Sequence, residues 1–388
     1  MTTVDLDDAV EELIAIHAAG TDRTELWKRQ FDLGLAWLTL EEGLGGRGLD
    51  TPSRADVERR LQHAELPHPR SVNFVGVGMA APLIAEHGTD RQRRDHLRPI
   101  FTADHLWCQL FSEPSAGSDL ANVSTSAARD GDSWIINGQK VWTSFARNAQ
   151  YALLLTRSDP DVPKHQGMTF FLLDMTTPGV EVRPLRMMTG DAEFSEIFLD
   201  DVVVSDAARI GEPGMGWTMA LAVLMNERVA VGNLGGGRRS KRPIERIRAE
   251  APPILDGVAR DRLSRLTVRD QVQRLTKRRA ATLARKGTPG PEGTVLRILN
   301  TQLNVDVHEF GIDLAGPTGT LLPHPYPHGD DLDPPDHWEL SREFLFARGL
   351  MIGGGTFEIA RNILGERVLG LPPEPRVDKQ LPWKDQRR

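Results

Sequence analysis

Residues 109–145, QLFSEPSAGSDLANVSTSAARDGDSWIINGQKVWTSF, constrain this chain more than any other stretch. A polar loop, Ser112-Glu-Pro-Ser-Ala-Gly-Ser-Asp119, precedes two strand-like runs broken by Asp130-Gly131 and Asn137-Gly138, dipeptides that signal hairpin turns. The stretch predicts sheet inside a chain whose remaining pattern is largely helical. Around Gly117 and Ser118 no bulky side chain blocks the backbone, so main-chain amides can approach a ligand's phosphates. Trp142 on the next strand offers a flat wall for an aromatic ring. Taken alone, the loop also reads as an ordinary turn and Trp142 as a core tryptophan.

The flanking pattern sets the context. Segments 5–18 and 54–65 carry apolar residues at helical spacing, and 71–87 is a Gly/Ala-rich apolar stretch suited to a buried helix. Glu41 to Gly48 is too glycine-rich for anything but a loop. From about 109 to 205, short β-branched and aromatic runs (Trp134 to Asn137, Tyr151 to Arg157, Met168 to Asp174, Val180 to Arg183, Glu196 to Val204) predict a compact antiparallel barrel or sandwich. After Gly214 and Gly216 a long helical pattern begins, with Ala220, Leu224, Glu227 and Val231 along one stripe. Helical patterns return at 255–285 and at 294–314, where Val295, Ile298, Leu299, Leu303 and Val305 mark the buried face, with a Gly/Pro loop at 287–293 between them. A proline-rich connection, 316–336, leads to helices at 338–351 and 357–368. From Pro372 the chain reads as a poorly ordered tail.

The 388 residues suffice for two or three structural units. A net charge of −7 argues against nucleic acid as the main partner. The basic run Arg238-Arg-Ser-Lys-Arg242 reads as a solvated helix end or as a contact to an anionic ligand. A single cysteine, Cys108, excludes an internal disulfide framework, fits a reducing cytoplasm and reads as a small buried apolar residue. The acidic start MTTVDLDDAVEEL has no export signal, and no apolar run approaches membrane-spanning length, so a soluble cytoplasmic protein is expected. His324, His328, Asp330 and His337 lie in a proline-fixed extended stretch without ligand spacing, which argues against a metal site. No Gly-x-Ser-x-Gly elbow and no Gly-x-Gly-x-x-Gly βαβ opening is present. Lys164-His165 reads as a turn, with a phosphate contact as the alternative.

The run at 112–144 resembles the flavin-binding signature of the acyl-CoA dehydrogenase family, a (Thr/Ser)-Glu-Pro-x-Ala-Gly-Ser-Asp loop before an Asn-Gly-x-Lys-x-Trp-x-(Thr/Ser) strand. A second signature follows at Gly355-Thr-Phe-Glu-Ile-Ala-Arg-Asn-Ile363, continued by Glu366-Arg-Val-Leu-Gly-Leu-Pro372. The resemblance, which runs from about 30 to 373, implies an α+β protein with an N-terminal α-helical domain (1–108), a central antiparallel β-barrel domain (109–213) and a C-terminal α-helical bundle (214–388). It implies FAD, held by Gln109, Phe111, Ser112, Gly117, Ser118, Trp142, Ser144, Thr356 and Glu358. Substrate contacts are implied at Ser118, Arg228 and Gly354. The implied reaction is α,β-dehydrogenation of an acyl-CoA thioester to a trans-2-enoyl-CoA, with electrons leaving to an electron-transfer flavoprotein.

Such chemistry needs a carboxylate base in a dry site, beside the carbon alpha to the thioester. Periodicity leaves Glu227 open to two readings, a base on the packed side of its helix or a surface glutamate paired with Arg228. Many family members carry the catalytic glutamate immediately before the Gly-Thr of the second signature, where this chain has Gly354. Others place it after the β-domain in a (Leu/Asn)-Glu-Arg setting like Asn226-Glu227-Arg228, so the resemblance implies Glu227 as the base. Two departures stand out. The family's Arg-x-x-Phe-Gly stretch has no counterpart between 233 and 290, and Asp313 takes the place of a glutamine. Bacterial branches that dehydrogenate sterol side chains show similar losses in heteromers with half the usual sites. A homo- or heteromeric dimer or tetramer is implied; the alternatives are a half-site or non-catalytic subunit and a flavin oxidase or monooxygenase of the same superfamily.

Overall fold

The computed structural model describes residues 5–233, 242–285, 290–321, 339–375 and 378–386. By its internal contacts the chain forms two units. The first holds the N-terminal helices, the sheet, most of the following helix and the last residues of the chain. Its helices are α1 (Leu6–Ala18), α2 (Arg23–Asp32), α3 (Thr51–His63), α4 (Ala81–His87) and α5 (Asp90–Thr102). Their starts follow from side chains that accept orphan backbone N–H groups: Asp5 from Asp7, Asp22 from Thr24, Asp50 from Ser53, and a Thr89/Gln92 capping box. The expected buried stretch before α4 is fully buried at 76–80, where one π-type turn leads into the helix.

Seven strands follow: β1 (Trp107–Leu110), β2 (Ser126–Asp130), β3 (Ser133–Ser144), β4 (Tyr151–Arg157), β5 (Met168–Asp174), β6 (Val180–Leu185) and β7 (Phe194–Ser205). They form one sheet in the order β1-β4-β2-β3-β7-β6, with β5 on β4. β2–β3, β3–β7 and β4–β5 pair antiparallel, while β1 and one residue of β2 meet β4 in parallel. β4 and β5 are buried along almost their whole length, and mostly apolar, because both their faces are covered. Leu153, Leu155, Phe170 and Leu172 enter one core with α4, and Ala152, Leu154, Phe171 and Leu173 enter the other with Ile197 and Val202. Cys108 is buried as expected.

Asp130-Gly131 makes the expected hairpin, with Gly131 at φ +58° at the first central position of a two-residue loop. Asn137-Gly138 does not turn the chain, which corrects the sequence expectation: both lie inside β3, beside a bulge. There Asn137 faces two residues of β7, and its side-chain amide donates to Asp201 Oδ1 (2.9 Å) and accepts from Asp201 N (2.8 Å). The glycine serves close approach, since a Cβ at 138 would lie 2.5 Å from Thr125 Oγ1 and 2.7 Å from its Cα. A turn dipeptide and a bulge dipeptide are the same letters in sequence.

The helix α6 (Gly216–Asn233) packs Met219, Ala220 and Val223 into the core that also holds Phe111, Ala116, Val123 and Phe170. The expected disordered tail is also corrected. Residues 378–386 fold onto the first unit, with Trp383 only 7% exposed.

The second unit comprises residues 185–193 and 231–377. It contains α7 (Pro243–Glu250), α8 (Gly257–Arg285), α9 (Glu292–Ala315), α10 (Leu340–Ala347) and α11 (Phe357–Arg367). Ile244, Ile247, Leu266, Leu303, Val307 and Phe310 form its core. Of the expected α9 stripe, Leu303 and Val305 are buried, while Val295, Ile298 and Leu299 are half-buried. Asp191, in the 185–193 segment, is buried and accepts from Arg342 Nε on α10 (2.9 Å). His324, His328, Asp330, His337 and residues 238–241 lie outside the described residues. Among the described residues no helix is long and apolar enough to cross a membrane.

Replacing Gly138 by valine forces side-chain atoms onto the Thr125 backbone. Chemical denaturation of Gly138→Val should show a loss of about 1–3 kcal/mol relative to the parent chain.

Candidate active site

Along β3, Trp134, Ile136 and Lys140 fall on alternate positions and are all buried, which puts a lysine where the pattern calls for an apolar residue. Such a charge needs partners. The Lys140 ammonium donates to Glu113 Oε1 (2.8 Å), Leu155 O (2.7 Å) and Phe111 O (3.2 Å), so each of its protons has an acceptor. Glu113 also accepts from Ser124 N (2.7 Å), Ser124 Oγ (2.8 Å) and Thr125 N (2.9 Å). Burial would raise the Glu113 carboxyl, but the Lys140 charge and the hydrogen bonds from Lys140, Thr125 and Ser124 outweigh it and hold the group at about 2. Burial pushes the Lys140 ammonium down, against the pull of Glu113. Neither residue was singled out from sequence as functional; the signal that could have found them is the lysine on the core face of β3.

The ion pair fixes the signature loop. Glu113 and Ala116 exchange two backbone hydrogen bonds of 3.0 Å, and Ser112 O accepts from Val141 N on β3 (2.9 Å). Ala116 is buried, while Gly117 and Ser118 face solvent. Among the described residues nothing lies within 4 Å of a Cβ built on Gly117, so no contact among them demands glycine there.

β3 carries a second bulge, in which Val141 and Trp142 face Glu196 alone, between the pairs Lys140↔Ile197 and Thr143↔Ser195. Trp142 takes φ +61°, a left-handed conformation unusual for a bulky residue, and its side chain is 59% exposed. The indole packs nearly perpendicular to the Phe194 ring, with centroids 5.9 Å apart. A large aromatic held largely exposed in a costly backbone conformation points to a ligand. Ser144, two residues on, is half-buried.

The structure thus gathers Ser112, Gly117, Ser118, Trp142 and Ser144 on one loop and the strand bonded to it. Phe111 turns its ring into the core, edge-on to Phe170 (5.6 Å), and Gln109 is half-buried in β1. Glu227 belongs to the same unit, half-buried on α6 one turn beyond buried Val223. The Arg228 side chain lies outside the described residues. Thr356, Glu358 and Gly354 belong to the second unit. Thr356 Oγ1 caps α11 by accepting from Ile359 N (3.2 Å), with Glu358 exposed in the first turn. Gly354 and Gly355 both have left-handed φ, +67° and +94°, and Arg297, unnoticed in sequence, donates to Leu350 O and Gly355 O (3.1 Å each) and to Gly353 O across this turn. A glutamate at 354 would meet backbone strain. Asp313 is ion-paired with Arg262 of α8.

Residues 6–104, 108–202 and 214–369 match the family profiles described as acyl-CoA dehydrogenase N-terminal, middle and C-terminal domains. The chain belongs to the acyl-CoA dehydrogenase family. This family of oxidoreductases includes the acyl-CoA dehydrogenase FadE34 of Mycobacterium tuberculosis, 38% identical over 84% of this chain and 43% of FadE34. It also includes the acyl-CoA dehydrogenase IpdE1 of the same organism, 37% identical over 92% of this chain and 90% of IpdE1. The chain therefore spans less than half of the first relative and most of the second. Among solved structures, a chain of the ChsE4-ChsE5 complex from Mycobacterium tuberculosis is similar, with 27% identity, a TM-score of 0.68, and coverage of 94% of this chain and 97% of that one.

Family membership implies a flavin, and the donor set fits one. The exposed backbone at Gly117 and Ser118 suits phosphate oxygens, the exposed indole of Trp142 suits a planar ring, and Ser144 offers a hydroxyl beside it.

Two measurements check this construction. Glu113 has a folded value far below its ordinary 4.5, so the stability it contributes is complete above that range and is lost as pH falls from about 4.5 toward 2. Acid-unfolding curves should show this slope in the parent chain and not in Glu113→Gln, and Lys140→Met should lose about 3–5 kcal/mol at neutral pH by stranding the carboxylate. Trp142→Gly relieves the left-handed strain and should leave thermal stability unchanged or raise it by about 1 kcal/mol while weakening flavin binding.

Proposed function

We propose that this protein binds FAD and dehydrogenates an acyl-CoA thioester between its α and β carbons, giving a trans-2-enoyl-CoA. The observation that carries the proposal is Trp142, held exposed by a strained bulge beside a loop whose Gly117 no contact among the described residues explains. When bound, FAD supplies the acceptor for the hydride that leaves the β carbon. The protein's own residues do the rest. The Gly117–Ser118 backbone binds phosphate oxygens, and Trp142 and Ser144 orient the ring system. Thr356 and Glu358, at the start of α11, would contact the ribityl and pyrophosphate portion.

Glu227 receives the α proton. Its place in line with buried Ala220 and Val223 takes its carboxylate partly out of water, and Gly354, in a left-handed turn, leaves the family's other base position without a carboxylate. Ser118 and Arg228 would face the acyl-CoA. Electrons then pass to an electron-transfer flavoprotein.

A second arrangement is favoured by the absent Arg-x-x-Phe-Gly stretch and by the two-protein complex among the similar structures: a heteromer in which this chain and a relative share flavin sites. Native mass and flavin per polypeptide, measured alone and with a co-expressed relative, distinguish it from a homomer.

Anaerobic mixing of the flavin-loaded protein with straight-chain, branched and steroid-side-chain acyl-CoA thioesters should bleach the flavin absorbance stoichiometrically with at least one class and yield its enoyl-CoA. Glu227→Gln should keep the flavin spectrum and lose about 10²–10⁴-fold in the bleaching rate. Bleaching at the parent rate in Glu227→Gln would remove this residue as the base, and rapid reoxidation by air would indicate an oxidase instead.

A further inference from the structure

The far end of the signature loop is held by the last residues of the chain. Asp119 closes the loop, and its carboxylate accepts from the Lys164 ammonium at 2.9 and 3.1 Å; the same ammonium lies 3.3 Å from Asp378. The turn at 120–122 follows directly. Its Ala121 carbonyl accepts from Arg157 Nη2 (2.6 Å), and Asn122 Oδ1 accepts from Trp383 Nε1 (2.9 Å). Arg157 is 3% exposed and also donates to Val123 O (3.3 Å) and Lys164 O (2.6 Å). The Trp383 ring lies over its guanidinium at 4.8 Å.

Main-chain bonds fasten this segment: Trp383 N donates to Val162 O (2.9 Å), Lys384 N donates to Pro160 O (3.1 Å), and the Lys384 ammonium meets Asp161 at 2.5 Å. A buried guanidinium, its aromatic cover and a mostly shielded lysine shared by two carboxylates therefore converge where the signature loop ends. Exposed ion pairs are weak, but Lys164 is only 14% exposed, so its pairing is not that of a free surface lysine. Between this clamp and the Glu113–Lys140 pair, Gly117 has no side chain and the Ser118 side chain makes no hydrogen bond among the described residues.

We propose that residues 378–386 are a strap that positions the Ser112–Asp119 loop for its cofactor, with Trp383 and Lys164 as positioning residues acting through Asn122, Arg157 and Asp119. This rests on the flavin function proposed above. The strap makes no contact with the reaction itself; it sets how well the loop's backbone is preorganised.

The test compares the 388-residue chain with Trp383→Ala, Trp383→Phe and Lys164→Met, using two readouts: the FAD dissociation constant of deflavinated protein and amide hydrogen exchange of residues 112–123 without flavin. Trp383→Ala should bind FAD about tenfold more weakly and exchange faster at 112–123, while exchange in β4 and β5 stays unchanged. Trp383→Phe, which keeps a ring over Arg157 and loses the bond to Asn122, should fall between. Lys164→Met should also loosen 112–123, and it decides the matter if Trp383→Ala does not fold. Parent-like FAD affinity together with parent-like exchange at 112–123 in the folded variants would overturn the strap. Should the parent chain take up no flavin, the proposed function fails separately, and the exchange at 112–123 still decides whether the strap positions the loop.

Discussion

A buried lysine and a buried glutamate, far apart in sequence, organise the site. Lys140 spends all its protons on Glu113 and two backbone carbonyls, one just past β1 and one on β4. Glu113 in return gathers the backbone of Ser124 and Thr125. One ion pair therefore joins the start of the signature loop, the segment after it, and two strands of the sheet. Replacing such pairs by apolar residues is often neutral or stabilising, so stability alone does not account for this one. What it provides is position: a polar loop with almost no apolar side chains could not be located by hydrophobic packing, and directional hydrogen bonds can locate it.

The same strand shows how a position is used. Within a few residues β3 turns Lys140 inward and, through a bulge, turns Trp142 outward in a left-handed conformation. The bulge breaks the alternation of faces: the consecutive residues Lys140 and Val141 are both buried, and Trp142, which regular pleating would put on the face of Lys140, is exposed instead. That departure from regular pleating presents an aromatic face next to exposed backbone, the combination a dinucleotide with a flat ring system requires. On α6, the stripe that buries Ala220 and Val223 in the core beneath the loop carries Glu227 toward the packed side of its helix.

Much of this was legible in the residues. The motif at 112–144, the run of strands, the helix after Gly216 and the capping role of Thr356 could all be read from local pattern, because turn chemistry, alternation and caps are local. Three things could not. Asn137-Gly138 carries the letters of a turn, and only its neighbours across the sheet make it a bulge. The segment 378–386 has a tail's composition, and the cover it gives Arg157 is a contact more than 200 residues away in sequence. Glu113 and Lys140 sit inside recognisable motifs, but that they pair with each other depends on how the sheet is assembled. In each case the missing information was tertiary.

The most direct test replaces both members of the pair with apolar residues of similar size, Glu113→Leu with Lys140→Met, and measures the FAD dissociation constant at a temperature where the variant is folded. If the pair exists to place the loop, the double variant stays folded yet binds FAD at least about tenfold more weakly than the parent. A folded double variant that binds FAD as tightly as the parent would contradict the account, because the loop would then be placed by something other than this ion pair.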